Sequence, residues 1–153
     1  MTQANHVAVA LPMMVGAGAV LCTILIHSLA LNATVTYFRR ETKLGYAGRG
    51  YLTDLRIVML VMSFAFVAHA IEVAMWAWIL MMCGEFQDFG FACYHSAVNY
   101  TTLGYGDVIM TPRWKLLGPV EAADGSLMFG VSTAMVFAVT AHLIQARFAD
   151  LRD

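Results

Sequence analysis

The sequence predicts an all-α membrane protein with three transmembrane helices, a short re-entrant helix and an extended loop. Of its 153 residues, 60% are hydrophobic and only 12% are charged, whereas soluble domains are about 45–50% apolar and about 25% charged. The first charged residue is Arg39. This composition argues against a soluble globular fold, and a formal net charge of −1 gives no basic surface for nucleic acid.

Three apolar runs are each long enough to cross a bilayer, since about 20 residues rising 1.5 Å each span the hydrocarbon core. They cover residues 7–31, 57–83 and 125–146. The first run lacks the basic n-region and the cleavage site of a signal peptide, so we interpret it as a spanning helix. The third helix starts either at Thr111 and Pro112 or at Pro119, because both sites place a proline in a first turn.

A shorter segment lies between the second and third runs. Residues 89–101 are moderately apolar but too few to cross a membrane alone, and a glycine-containing stretch follows them. Non-helical backbone at membrane depth is tolerated only where it is buried in protein or lines a watery cavity. We therefore predict a re-entrant helix followed by an extended loop.

Basic residues concentrate in two connections on one side of the predicted spans. Seven of the nine Lys and Arg residues are Arg39, Arg40, Lys43, Arg49, Arg56, Arg147 and Arg152. Because loops rich in Lys and Arg remain cytoplasmic, we expect the connector between the first two spans and the C-terminus to lie inside. The N-terminus and the re-entrant loop then lie outside.

Residues 101–107 read Thr-Thr-Leu-Gly-Tyr-Gly-Asp. A cation that leaves water needs its hydration oxygens replaced, and successive backbone carbonyls do this when the backbone alternates in conformation. Gly104 and Gly106 permit that alternation without steric cost. Thr102 adds a hydroxyl oxygen, and the carbonyl end of the preceding helix favours a cation over an anion.

With a spanning helix on each side, this segment closely resembles the pore module of tetrameric potassium channels, over about residues 57–150. The resemblance implies an outer helix at 57–83, a pore helix at 89–101 and an inner helix from the third run. The implied domains are an N-terminal transmembrane helix (1–38), a cytoplasmic basic connector (39–56) and a pore module (57–153). The implied selectivity filter is Thr102, Leu103, Gly104, Tyr105 and Gly106.

The resemblance implies passive K⁺ conduction through a homotetramer, with K⁺ held at Thr102, Leu103, Gly104 and Tyr105. The expected partners are identical chains, the lipid bilayer and K⁺, and we expect no catalysis, no cofactor and no nucleic acid. Small size favours a bacterial inner membrane. The alternatives are a weakly selective cation channel, a non-conducting or partner-gated accessory subunit, and a membrane enzyme built on His69 and Glu72.

Residues beside the motif are expected to support the filter. Where many members of the resembled family keep a polar or acidic partner for the aspartate after the filter, this chain has Val98 and Asn99. Asp107 therefore needs another partner, and Tyr94 or His95 can supply it. The expected supporting residues are Asp107, Thr101, Tyr94 and His95.

Two glycines of the third span, Gly125 and Gly130, are similar to the hinge glycines of the family's inner helix. Small residues also permit close helix packing, which is an equally good explanation for either glycine. Ser126, Phe129 and Thr133 are spaced three and four apart, so they share one helix face that is expected to line a cavity.

Several polar residues interrupt the spans. Glu121 and Asp124 either attract cations, brace the pore helix, or are solvated because the third helix starts late. His69 and Glu72 favour inter-helix hydrogen bonds over metal ligation or proton relay, because intramembrane polar groups pair. Cys83 and Cys93 flank the predicted outer loop, and a disulfide between them is a hypothesis.

Overall fold

The structure, a computed structural model, describes residues 8–149 of the chain. Its four helices are α1 (Ala10–Lys43), α2 (Tyr51–Met82), α3 (Phe89–Tyr100) and α4 (Leu117–Ala149). Three of them, α1, α2 and Leu117–Phe148 of α4, are long and apolar enough to cross a membrane. Because the described residues include no strand, the predicted all-α fold with three spanning helices and a short fourth helix is confirmed.

The helix ends differ from the prediction at both connections. α1 continues through Arg39 to Lys43 and α2 begins at Tyr51, so only residues 44–50 of the predicted connector lie between helices. Charged side chains end an apolar run but are good helix formers, which explains the longer helices. α4 begins at Leu117, between the two predicted starts. Arg152 and the two chain termini lie outside the described residues, so the sides of the membrane predicted for the termini stay predictions.

Residues 8–25 and 70–128 form one compact unit, which contains α3 and the loop after it. Its apolar core includes Trp76, Leu80, Tyr100 and Leu117, all fully buried. At Gly16 of α1, an added Cβ would lie 2.9 Å from Cγ1 of Val120 in α4. The backbone of α1 therefore packs closely on α4 within this unit.

Residues 26–69 and 129–149 form the second unit. Its core contains Ile57, Val61, Val139 and Leu143, each at most 3% exposed. Two ion pairs join its helices. Arg147 of α4 pairs with Asp54 of α2, and Arg56 of α2 lies 2.6 Å from the carboxylate of Glu41 in α1.

Large apolar side chains lie on the surfaces of the three long helices. Leu25, Phe66 and Phe137 are 65%, 75% and 73% exposed, respectively. In water such surfaces would favour aggregation, whereas lipid tails solvate them. With helices of spanning length, the chain is an integral membrane protein.

Candidate functional site

The site is built on α3, whose two ends have identifiable caps. Asp88 precedes α3 in an extended conformation, and its carboxylate accepts a 2.8 Å hydrogen bond from the backbone N–H of Phe91. This satisfies one of the free N–H groups of the first turn. At the other end, the backbone N–H and Oγ1 of Thr101 both donate to the carbonyl of Ala97, at 3.0 and 2.6 Å. The predicted helix at 89–101 is thus confirmed to within one residue.

The loop after α3 alternates in backbone conformation. The φ angles of Thr102, Gly104 and Gly106 are 62°, 57° and 72°, in the left-handed region, and Leu103 and Tyr105 between them have no positive φ. The two glycines were expected to provide this alternation, but the third position is a threonine. A β-branched residue in the left-handed region costs about 1–3 kcal/mol, and such strain is concentrated at functional sites.

The loop is tied back to the end of α3 by its own backbone. The N–H of Thr102 donates to the carbonyl of Asn99 at 2.8 Å, and the N–H of Gly104 donates to that of Val98 at 3.2 Å. The side chains of residues 101–107 are all exposed in the single chain; Leu103 is 57% and Tyr105 66% exposed. The backbone is therefore held while the side chains remain uncovered.

Asp107, directly after the loop, is bound by α3. The hydroxyl of Tyr94 donates a 2.7 Å hydrogen bond to Oδ2 of Asp107. This bond raises the pKa of the tyrosine, because it stabilises the protonated hydroxyl. His95 instead has its Nε2 2.9 Å from Nδ2 of Asn99, and burial lowers its pKa. Of the two predicted partners, Tyr94 is the one that the structure places on Asp107.

The buried side of α3 is fixed to both neighbouring helices by one serine. The hydroxyl of Ser96 lies 2.9 Å from the carbonyl oxygen of Val73 in α2 and 2.5 Å from Oε1 of Glu121 in α4. Ser96 and Glu121 are both fully buried. Of the alternatives for Glu121, solvation is therefore wrong, because α4 starts before this residue and its side chain is fully buried. Through Ser96, Glu121 braces α3.

Two further carboxylates are buried in the same unit. The hydroxyl of Tyr100 donates to Oε2 of Glu72 at 2.5 Å. Asp124, which is 1% exposed, accepts from Thr23 of α1 at 2.8 Å and from the indole of Trp76 at 2.9 Å. The solvated alternative is thus wrong for Asp124 as well.

Four residues that hold this unit together were not predicted as site residues: Thr23, Trp76, Ser96 and Tyr100. Tyr100 directly precedes the loop motif, and Thr23 and Ser96 are hydroxyl residues inside apolar segments. Polar groups in membrane helices usually face a partner, and this signal could have identified them.

The predicted inner-helix residues lie on α4, which continues through both glycines. A Cβ added at Gly125 would lie 2.0 Å from the carbonyl oxygen of Tyr100, so this glycine is required for close packing. At Gly130 nothing lies within 4 Å of such a Cβ. Ser126, Phe129 and Thr133 are all exposed in the single chain.

The histidine of the second span is paired within the second unit. Nε2 of His69 lies 3.0 Å from the hydroxyl of Ser132, and Nε2 of His27 lies 3.1 Å from the same hydroxyl. The inter-helix hydrogen bond expected for His69 is therefore confirmed. Cys83 and Cys93 are free thiols, so the hypothesised disulfide is absent from the structure.

These features define a class: helical membrane proteins in which a short capped helix and a strained loop are held between two spanning helices. A family model described as an ion channel matches residues 56–142, more than half of the chain. The chain therefore belongs to this ion channel family, which is not a family of enzymes. No curated protein and no solved structure gives a significant match.

Proposed function

We propose that this ion channel subunit conducts K⁺ selectively, with residues 102–106 as its selectivity filter. The observation that carries the proposal is the left-handed backbone at Thr102, Gly104 and Gly106. Alternating backbone conformations allow successive carbonyls to be directed to one axis, where they replace the water around a cation. In this proposal K⁺ binds to carbonyl oxygens of residues 102–105 and to the hydroxyl of Thr102.

We further propose that four identical chains form one pore. One chain supplies one loop, and a ring of carbonyls needs several. Support for this assembly comes from side chains that are exposed in the single chain, namely those of the loop and of Ser126, Phe129 and Thr133. Neighbouring subunits arranged around a pore would cover some of these side chains and leave the others facing the conduction path.

The proposed orientation follows the basic residues. Arg39, Arg40 and Lys43 end α1, and Arg147 lies in the last turn of α4. The positive-inside rule places these helix ends in the cytoplasm and the loop after α3 outside. We propose a bacterial inner membrane as the location.

The test is K⁺ flux from liposomes that contain the purified protein, with Na⁺ and Li⁺ as competing cations. In Gly104→Ala the new Cβ meets no atom within 4 Å, but its φ of +57° remains unfavourable for alanine. The left-handed conformation costs about 1–2 kcal/mol per residue, hence about 4–8 kcal/mol over four loops. We expect K⁺-selective flux in the parent protein and its loss in this variant.

Gly18→Ala is the matched control, because Gly18 lies in α1, has no positive φ, and also has nothing within 4 Å of an added Cβ. Its flux should equal that of the parent. Flux that survives Gly104→Ala would contradict the filter assignment, and equal Na⁺ and K⁺ flux would favour a weakly selective channel. A stable tetramer without flux at varied pH and voltage would favour an accessory or partner-gated subunit.

A further inference from the structure

A groove of about 480 Å³ lies between α1 and α4 in the second unit. We call it the α1–α4 groove. Its apolar lining is Val35, Phe38, Met135 and Val139, and its polar lining includes Arg39 and Lys43. From Val35 to Lys43 the helix rises about 12 Å at 1.5 Å per residue. Over this length, the α1 residues that line the groove change from apolar to basic. The length is similar to that of a phospholipid headgroup together with the first carbons of its acyl chain.

Two of the residues that line the groove are positively charged. Arg39 and Lys43 are exposed, and within residues 8–149 neither forms an ion pair. By contrast, Arg56 is paired with Glu41 and Arg147 with Asp54 in the same unit. The groove therefore presents two positive charges to a ligand.

We propose that the α1–α4 groove binds an anionic phospholipid. Its phosphate contacts Arg39 and Lys43, and one acyl chain lies along Phe38, Met135 and Val139. Basic pockets between transmembrane helices bind anionic headgroups. A free phosphate would satisfy the charges but leave the apolar wall uncovered. Because α1 and α4 are both of spanning length, the acyl chains of the bilayer can cover this wall.

The binding itself does not depend on the proposed K⁺ conduction, but one consequence does. Met135 and Val139 belong to α4, the helix that the proposed function places beside the pore. A lipid that contacts α4 there can change its position, so anionic lipid should alter K⁺ flux in liposomes.

The experiment measures binding by native mass spectrometry and by the melting temperature of the detergent-solubilised protein. The probes are dioctanoyl phosphatidylglycerol, dioctanoyl phosphatidylcholine and inorganic phosphate. We expect phosphatidylglycerol to bind and to stabilise the protein, and the other two to do neither. The double variant Arg39→Gln/Lys43→Gln should weaken phosphatidylglycerol binding about fivefold for each charge removed, thus about 25-fold.

Two further variants separate the groove from general surface charge. Arg40→Gln/Arg49→Gln removes the same charge from exposed residues of this unit that do not line the groove, and its affinity should stay within about twofold of the parent. Val35→Trp fills the apolar part without changing charge and should weaken binding.

Three results would overturn the proposal. Equal losses in the two arginine-containing double variants would assign the effect to diffuse charge. Equal binding of phosphatidylcholine would remove the role of the basic groups. Binding of inorganic phosphate with no effect of Val35→Trp would indicate an anion site without a lipid chain. Because these readouts do not involve flux, failure of the K⁺ proposal would leave them unchanged.

Discussion

Gly125→Ala tests whether this glycine packs α4 against α3 or acts as a hinge. The alanine Cβ would lie 2.0 Å from the carbonyl oxygen of Tyr100 and 2.9 Å from its carbonyl carbon. A carbon and a carbonyl oxygen approach to about 3.3 Å without repulsion, so the two helices must separate by about 1.3 Å. The obstructing atoms belong to the backbone and cannot move away by a change of side-chain rotamer.

Overpacking of this kind costs about 1–3 kcal/mol, and a fixed backbone contact favours the upper end. For a chain of this size, about 3 kcal/mol lowers the melting temperature by about 6–12 °C. The displacement also occurs two residues before Thr102, at the base of the loop. We therefore expect Gly125→Ala to lose both stability and ion flux.

The assay is thermal melting of the purified protein in detergent, followed by liposome flux. Gly130→Ala is the matched control, because it lies in the same helix with nothing within 4 Å of an added Cβ. Alanine is favoured over glycine in a helix by about 0.5–1 kcal/mol, so this control should be at least as stable as the parent. A Gly125→Ala protein with the melting temperature of the parent but a lower ion flux would refute the packing explanation and support a hinge.

Three further predictions concern α3. Ser96→Ala should lower stability by about 1–3 kcal/mol, because the buried Glu121 carboxylate loses a donor. Ser63 is the control: its exposed hydroxyl bonds to the Met59 carbonyl of its own helix, so Ser63→Ala should melt like the parent. Equal losses of stability in the two variants would contradict this prediction. Tyr94→Phe and Asp107→Ala each remove the hydrogen bond between these two side chains, so K⁺ flux should decline faster in each single variant than in the parent during prolonged conduction. The double variant should decline no faster than either single variant, and additive effects would refute the pairing. Burial lowers the pKa of His95 from 6.5, so the contribution of the neutral side chain to stability is complete above pH 6.5 and is lost as the pH falls through the folded-state pKa. Below pH 6.5 the melting temperature of the parent should therefore fall more than that of His95→Gln. Parallel curves of melting temperature against pH would exclude this titration.

The spanning helices and the loop could be predicted because their physical causes are local. Apolar runs of bilayer length have few stable structures other than a spanning helix. Gly104 and Gly106 identified the positions of left-handed backbone because glycine adopts it freely. The left-handed Thr102 could not be predicted in this way, since its conformation is imposed by its neighbours against its own preference.

The contacts between helices could not be predicted, because α1, α2 and α4 are apolar on most faces and the sequence does not fix their rotation. The docking of α1 through Thr23 and Asp124 therefore appears only in the structure. The choice between Tyr94 and His95 as the partner of Asp107 is a similar case. Adjacent helical residues point about 100° apart, so the helix rotation alone decides which one reaches the loop.

The buried polar groups explain how α3 is held at a fixed position. In lipid, the hydrophobic effect gives little attraction between helices, so close packing and hydrogen bonds must position them. α3 has only 12 residues, yet Ser96 and Tyr100 bind carboxylates on both flanking helices. A third carboxylate, Asp124, joins α1 and α2 to α4. The proposed K⁺ site would need its atoms held within about 0.5 Å. The buried carboxylates provide such fixed contacts at the base of the loop, and α1 contributes one of them through Thr23.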